Sequence, residues 1–368
     1  MIAWYLRRFS RLLTEHIDGP LLGAVLLLMG VGLTVLYSAS NAGWPRVSGQ
    51  MINMLVALTV MWIVANIPPH FLMRLALPLF VIGVLLLLGV AVKGDIVNGA
   101  RRWLNIGITR IQPSELMKIA APLMLAWYFH HYEGTLRTSN FLIAAVLLLV
   151  PVGLIARQPD LGTAILILAS GGYVLFLAGL SWKIIAGLAV AGAAAAPVAW
   201  SMMHDYQRQR ILTLIDPMED PLGSGYHTIQ STIAVGSGGW TGKGWMSGTQ
   251  THLDFIPERT TDFIFAVFSE EFGLLGNVLL LALFLMVIVR GAIIAANAPT
   301  LFTRLLAGAI TLTFFTYAFV NMGMVSGILP VVGVPLPMIS YGGTSLVSLC
   351  LGLGILMSIH THRKLVHT

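Results

Sequence analysis

Pro257-Glu258-Arg259-Thr260-Thr261-Asp262-Phe263-Ile264-Phe265-Ala266-Val267 carries a long polar loop straight into an apolar helix. The junction sets a carboxylate, Asp262, at the edge of a hydrophobic layer. An ionisable group at that depth is costly unless it is solvated, paired or functional, so Asp262 is the first candidate for chemistry. The apolar run it enters extends over 263–294, long enough for a helix to cross a bilayer.

The same character continues in both directions. Of 368 residues, 57% are hydrophobic and only 10% are charged, with a mean hydropathy of +0.85. That is far more apolar than a soluble domain, and the chain reads as a single all-α polytopic membrane domain, 1–368. A crossing needs roughly 20 apolar residues. Ten such runs lie near 20–37, 51–67, 71–92, 113–129, 141–156, 163–180, 184–203, 263–294, 303–326 and 344–361. The first is long for a signal-peptide core and is read as an uncleaved span, although Ser38-Ala39-Ser40 faintly resembles a cleavage site.

Arg7, Arg8 and Arg11 precede the first span, which puts the N-terminus in the cytoplasm; an even number of spans returns His362-Arg363-Lys364 to the same side. Arg74, Arg137, Lys183, Arg290 and Arg304 then fall in or beside cytoplasmic turns. The opposite face carries Arg46, Lys93, Arg101, Arg102, Arg110, Arg157, Arg208, Arg210, Lys243 and Arg259 with nearly all the acids. Cations gathered outside suit an anionic substrate such as a phosphate-bearing lipid. The net charge of +6 does not point to nucleic acid, because the Lys and Arg are scattered through short loops without a basic helix or aromatic-interleaved patch. The lone Cys350 excludes a disulfide framework and a Cys-based metal site.

The one long polar insertion, 204–262, falls between the seventh and eighth spans. Its Pro217, Pro221 and the glycines from 223 to 248 argue against a regular domain, while Tyr226, Trp240, Trp245, His227 and His252 favour an ordered loop resting on the membrane surface. Within it, Gly238-Gly239-Trp240-Thr241-Gly242-Lys243-Gly244 fails the P-loop pattern: Gly244 stands where Ser or Thr should bind magnesium, and no strand precedes it. It is either a turn-rich connector or a flexible loop that brings Lys243 to a substrate.

Three further motifs sit at span ends. Gln112-Pro113-Ser114-Glu115-Leu116-Met117-Lys118 opens the fourth span, with Glu115 and Lys118 on one helix face. They form an internal ion pair, or they line a polar cavity in which Arg46 partners Glu115 and Lys118 meets a phosphate. Arg101-Arg102-Trp103-Leu104 adds cations and an interfacial ring. Gln158-Pro159-Asp160-Leu161-Gly162-Thr163 reads as a turn whose Asp160 caps the sixth span. In Pro335-Leu336-Pro337-Met338-Ile339-Ser340-Tyr341-Gly342-Gly343-Thr344-Ser345, prolines and paired glycines break the helix near membrane depth; irregular backbone survives there when protein buries it or it lines a wet cavity, and a cavity wall is the favoured reading.

Together with Asp205-Tyr206-Gln207-Arg208-Gln209-Arg210, these segments resemble, in order and over essentially the whole chain, the SEDS family of cell-wall polymerases (shape, elongation, division and sporulation proteins), most like its rod-shape-determining, elongation branch. The resemblance implies ten transmembrane helices in the bacterial inner membrane and a peptidoglycan glycosyltransferase that joins lipid II into glycan strands on the extracytoplasmic side. It carries the family's essential acid over to Asp262. It also implies a class B penicillin-binding protein as transpeptidase partner, with other elongation-complex proteins around it.

The chemistry asks for one base to take the proton of a sugar hydroxyl, and for charge compensation of a departing polyprenyl pyrophosphate. Lys118, Arg102, Arg210 or a bound Mg²⁺ or Mn²⁺ could supply the compensation, with Glu258 and Glu115 as helpers; no organic cofactor is expected. Substrate-binding candidates are therefore Arg46, Arg102, Trp103, Glu115, Lys118, Asp160, Arg210, Lys243, Glu258 and Ser340. A lipid II flippase and a non-catalytic scaffold of the cell-wall machinery are the alternatives. The flippase expects essential charges near the bilayer midplane, whereas the charges here cluster at an edge.

Overall fold

The computed structural model describes residues 15–97, 100–105, 110–203, 205–221, 223, 225–253, 255–256 and 258–362. Arg7, Arg8, Arg11, Arg363 and Lys364, on which the topology expectation rests, lie outside the described residues, as do His204 and Pro257. Among the described residues the long helices follow the apolar runs: α1 (Gly19–Ala39), α2 (Trp44–Ala65), α3 (Pro69–Lys93), α4 (Pro113–His131), α5 (Thr138–Ala156), α6 (Leu161–Leu177) and α7 (Trp182–Met202). Three short helices come next, α8 (Asp205–Ile215), α9 (Tyr226–Ser237) and α10 (Thr249–His252), before the long α11 (Ile264–Ala296), α12 (Leu301–Val325) and α13 (Thr344–Thr361).

The chain is thus mainly helical, and among the described residues seven helices, α1, α2, α3, α5, α11, α12 and α13, are long and apolar enough to cross a membrane. Their starts are written locally. Proline occupies the first turn of α1, α2, α3 and α4, where its missing N–H costs nothing. Asp18 caps α1 through the Leu21 N–H at 2.9 Å, and Thr300 caps α12 through the Thr303 N–H at 3.2 Å. In the bundle α2 lies along α13, α11 packs against α1 and α12, and α4 packs against α3, α6 and α12. None of the described residues of α7 is buried.

One element is added to the all-α reading and one expectation is corrected. Between α3 and α4, β1 (Asp95–Val97), β2 (Ala100–Asn105) and β3 (Arg110–Ile111) form a small antiparallel sheet, with Asp95 opposite Trp103 and Leu104 opposite Ile111. The sheet is too small to alter the helical class. The 204–262 segment is not a single irregular loop. Its prolines and glycines are concentrated at 217–225 and 236–248, which leaves 205–215 and most of 226–237 uninterrupted and free to form α8 and α9.

The helix α11 is broken once. Gly273 sits at φ 63°, ψ −160°, a conformation open to glycine and strained for any other residue. A break inside an apolar bundle orphans carbonyls on one side and N–H groups on the other. The glycine-rich 238–244 strap takes both. Its Lys243 and Gly244 N–H groups donate to the Glu270 and Glu271 carbonyls at 3.0 and 3.0 Å, and its Gly239 and Trp240 carbonyls accept from Leu274 and Leu275 at 2.9 and 3.0 Å. The motif that resembled a phosphate loop is therefore a splint for α11. Gly273→Ala should lower the melting temperature of the purified protein by several degrees, since a Cβ there is both conformationally strained and pressed 2.3 Å from the Gly242 nitrogen; scanning fluorimetry in detergent measures it.

Candidate active site

Asp262 lies at the entry to α11, in a turn built on Glu258. Glu258 adopts φ +49°, and its carbonyl accepts from the Thr261 and Phe263 N–H groups at 3.0 and 3.3 Å. The Thr261 hydroxyl closes the turn by donating to the Glu258 carboxylate at 3.0 Å. Three successive carbonyls of this turn are then held from outside it. Tyr341 N–H donates to Thr260 O at 2.9 Å, the Ser340 hydroxyl to Thr261 O at 2.6 Å, and the Asn321 amide to Asp262 O at 2.8 Å.

With the backbone pinned, the Asp262 carboxylate is left open. Among the described residues it has no hydrogen bond and no ion pair. Its Oδ2 lies 3.4 Å from where a Cβ on Gly333 would stand, and Gly333 has φ +73°. Burial raises the Asp262 pKa to about 6, and the neighbouring Glu258 charge pushes the same way. The exposed Arg46 reaches the Thr260 hydroxyl at 3.4 Å, so a guanidinium stands at the rim two residues from the acid.

His227, on α9, was not among the residues the sequence singled out for the site. Its ring stacks on Phe263 at 5.7 Å between centroids, and burial lowers its pKa although Glu258 acts in the opposite sense. Asn321, on α12, was missed as well. Both come from segments with no local motif, and the contacts that bring them to the Asp262 turn, Phe263 for His227 and Asp262 O for Asn321, cross more than thirty residues of chain, so only folding reveals them.

The other candidates gather in a second constellation. Glu115 pairs with Lys118 at 2.6 Å, and its other oxygen accepts from the Ser348 hydroxyl at 2.9 Å. The Lys118 ammonium lies 5.3 Å from the Tyr317 ring centroid, deep among α4, α12 and α13. The expectation that Arg46 partners Glu115 and leaves Lys118 free is therefore corrected: residues three apart on one helix meet without any tertiary help, and Arg46 is drawn to Thr260 instead. Asp160 caps α6 through the Thr163 N–H at 3.3 Å, with Gln112 Nε2 at 3.4 Å and Arg102 Nε at 3.8 Å from its other oxygen. Arg102 also donates to Pro159 O at 2.6 Å, while Trp103 stands on β2.

This corner meets the first through the segment ahead of α13. Gly162 packs against the Val332 carbonyl, one residue from Gly333, and Tyr317 packs with Leu166 and Val334. Arg210 lines a separate recess of about 200 Å³ with Thr228 and 329–331, the start of the same segment. Lys243 is not a loose cation. Its ammonium binds the fully buried Glu270 at 2.8 Å and the Thr249 hydroxyl at 2.8 Å, fastening the splint to α11. The Ser340 hydroxyl is likewise occupied, donating to Thr261 and accepting from Leu336 N–H at 2.8 Å.

Residues 20–365 match the cell cycle protein family of FtsW, RodA and SpoVE. The chain belongs to this family. Peptidoglycan glycosyltransferase MrdB of Escherichia coli (strain K12) is 51% identical over 352 residues, covering 95% of each chain. A chain of a solved peptidoglycan synthase complex, studied for how it coordinates polymerisation and crosslinking, superposes with a TM-score of 0.81 at 34% identity, covering 94% of this chain and 98% of its own. The crystal structure of Thermus thermophilus rod shape determining protein RodA gives 0.72 at 29% identity, covering 94% and 97%. The FtsW/RodA/SpoVE match takes in both constellations, and the two solved relatives cover as much of the chain.

The Glu115–Lys118 pair of this family member has a testable energetic signature. Breaking a buried pair by removing one partner costs about 3–5 kcal/mol, whereas replacing both by apolar groups is far milder. Lys118→Met should therefore destabilise the protein strongly, and adding Glu115→Leu should recover most of the loss in a denaturation series.

Proposed function

We propose that this chain is a peptidoglycan glycosyltransferase that polymerises lipid II during cell elongation, with Asp262 as its general base. The observation that carries the reading is the Asp262 carboxylate: open, partly buried, raised to about 6, and fixed at its backbone by three hydrogen bonds. A base serves best when it is ionised at working pH yet retains enough affinity for a proton to accept one. The name of the E. coli relative and the synthase complex among the solved neighbours support the reaction class and the elongation role.

In the reaction, the C4 hydroxyl of an N-acetylglucosamine acceptor attacks the anomeric carbon of a lipid-linked donor. The new C–O bond forms as the anomeric bond to pyrophosphate breaks, with inversion, and the hydroxyl proton passes to Asp262. The polyprenyl pyrophosphate departs as an anion and asks for charge compensation rather than a second acid. Arg46 at the rim is suited to that work, with Arg210 in the separate recess, while Lys118 and Arg102 are largely neutralised by Glu115 and Asp160 and brace the elements behind the site. Among the described residues no group of three or more His, Cys, Asp or Glu is placed to hold a metal ion; a Mg²⁺ or Mn²⁺ that keeps most of its waters would need only one or two carboxylates, here Glu258 beside Asp262, and would add to the charge compensation of the pyrophosphate.

All ten long helices are read as spans, with both termini cytoplasmic and the Asp262 turn extracytoplasmic, reached through the 204–262 segment. The apolar groove between α1 and α11, lined by Leu26, Leu27, Phe268 and Leu279, has the chemistry to admit a polyprenyl tail. A class B penicillin-binding protein supplies the crosslinking step, consistent with the complex in which the solved neighbour sits.

Two outcomes test the assignment. Asp262→Asn should lower glycan polymerisation from lipid II at least about 100-fold while the protein remains folded; wild-type turnover by that variant removes Asp262 from the role, and lipid transfer across proteoliposomes without polymer would favour the flippase. In the wild type the rate should fall about tenfold per pH unit below a pKa near 6, because the protonated carboxyl cannot accept the proton. The raised pKa also has a stability consequence. The folded state holds its proton more tightly than the unfolded chain, so stability falls as pH rises from about 4 to about 6, and Asp262→Asn should melt no lower than wild type at pH 8.

A further inference from the structure

The three carbonyls that anchor the Asp262 turn are not equivalent. Two are held by the 340–341 backbone and hydroxyl, which belong to the same irregular segment. The third, Asp262 O, is held by a side chain from a different element, Asn321 near the end of α12. The same amide nitrogen donates its second hydrogen to Val334 O at 2.7 Å. One amide therefore ties the backbone of the candidate base to the residue after Gly333, and Gly333 is the surface on which the carboxylate rests.

Asn321 is fully buried, and its Oδ1 meets no hydrogen-bond partner. A buried unpaired acceptor is a cost that stability alone does not ask for. Both hydrogens of the amide are used, the bonds run to two separate segments, and both segments touch the Asp262 carboxylate or its backbone. We propose that Asn321 is the positioning residue of the glycosyltransferase: it sets the distance and angle between the Asp262 carboxylate and the Gly333 turn, and through them the point at which the acceptor hydroxyl is deprotonated.

The inference rests on Asp262 being the base, and its chemistry is geometric. Asn321 touches neither the rim cation nor the recess lined by Arg210, so its loss should spare substrate affinity. Misplacing a catalytic group by about 1 Å costs up to roughly 100-fold in rate. Gly333 supplies the other half of the seat. With φ +73° and the Asp262 oxygen 3.4 Å from its absent Cβ, it lets the carboxylate lie flat against the turn.

The experiment is steady-state polymerisation of lipid II by the full chain with its transpeptidase partner, comparing wild type, Asn321→Ala, Asn321→Gln and Asp262→Asn, with folded fraction and melting temperature measured on each preparation. Asn321→Ala should lower kcat about 10- to 100-fold with KM within twofold, and should displace the acid limb of the pH–rate profile. Asn321→Gln, which keeps both donors on a longer arm, should fall between Ala and wild type; it decides the matter if the Ala variant does not fold. A kcat per folded molecule within twofold of wild type in the variant that folds overturns the positioning role. So does a loss that appears in KM alone. Asp262→Asn separates the two claims: if it stays active, the base assignment fails, whereas its inactivity beside a fully active Asn321 variant sinks only the present inference.

Discussion

Backbone that leaves helical geometry within an apolar bundle must have every N–H and C=O answered by another segment, because no water is there to answer it. This chain departs from the helix at two places that matter, Gly273 in α11 and the stretch between α12 and α13. At the first, the 238–244 strap lends two N–H groups and two carbonyls to the broken ends. At the second, Gln50 on α2 bonds Ser340 O at 3.1 Å and accepts from Gly342 N–H at 3.2 Å, while Ser340 and Tyr341 turn their own donors onto Thr260 and Thr261. The two breaks converge on one half-helix. The segment from Ile264 to Phe272 is splinted behind by the strap and clamped in front by the 340–341 turn, and Asp262 stands at its head.

That arrangement separates rigidity from reactivity. The Thr260, Thr261 and Asp262 carbonyls are each held by a donor from a distant segment, while the Asp262 carboxylate has no hydrogen bond or ion pair among the described residues. The charges elsewhere behave in the opposite way. Glu270 is enclosed by Lys243, two threonine side chains and two backbone N–H groups, and Asp18 is gripped by Arg290 through Nε at 3.0 Å and Nη2 at 2.5 Å. Desolvated charges with full sets of partners hold elements together; a desolvated charge without one has its proton affinity raised and becomes available for chemistry.

The helical class, the positions of the long helices and the acid at the head of α11 were all legible in the residue order, because hydropathy, cap residues and prolines act over one or two turns. Asp160 as a cap and the Glu115–Lys118 pair as an internal contact are likewise local, three residues apart, and needed no fold to be read. The small sheet before α4 is hidden in the sequence because its strands are two to six residues long and its cations dominate the composition. The helices inside 204–262 are hidden in the overall composition of the segment, whose glycines and prolines cluster at 217–225 and 236–248 and leave the stretches outside those clusters free to form helices.

What lay beyond the sequence is every relation between distant segments. The residue order leaves Lys243 open between a connector and a flexible loop because Glu270 is 27 residues away, and it leaves Arg46 as one of two partners for Glu115 because nothing local points to Thr260 at a separation of 214. Asn321 and His227 carried no signal, since an amide or an imidazole on a helix acquires meaning only from what it faces. The apolar segments, their ends and the carboxylate at the mouth of one of them are written in the residue order, because they follow from short-range propensity and the cost of burying charge. Which distant charges are neutralised, and that the Asp262 carboxylate stays open, follow from the fold alone, because those pairings depend on contacts made across tens to hundreds of residues of chain.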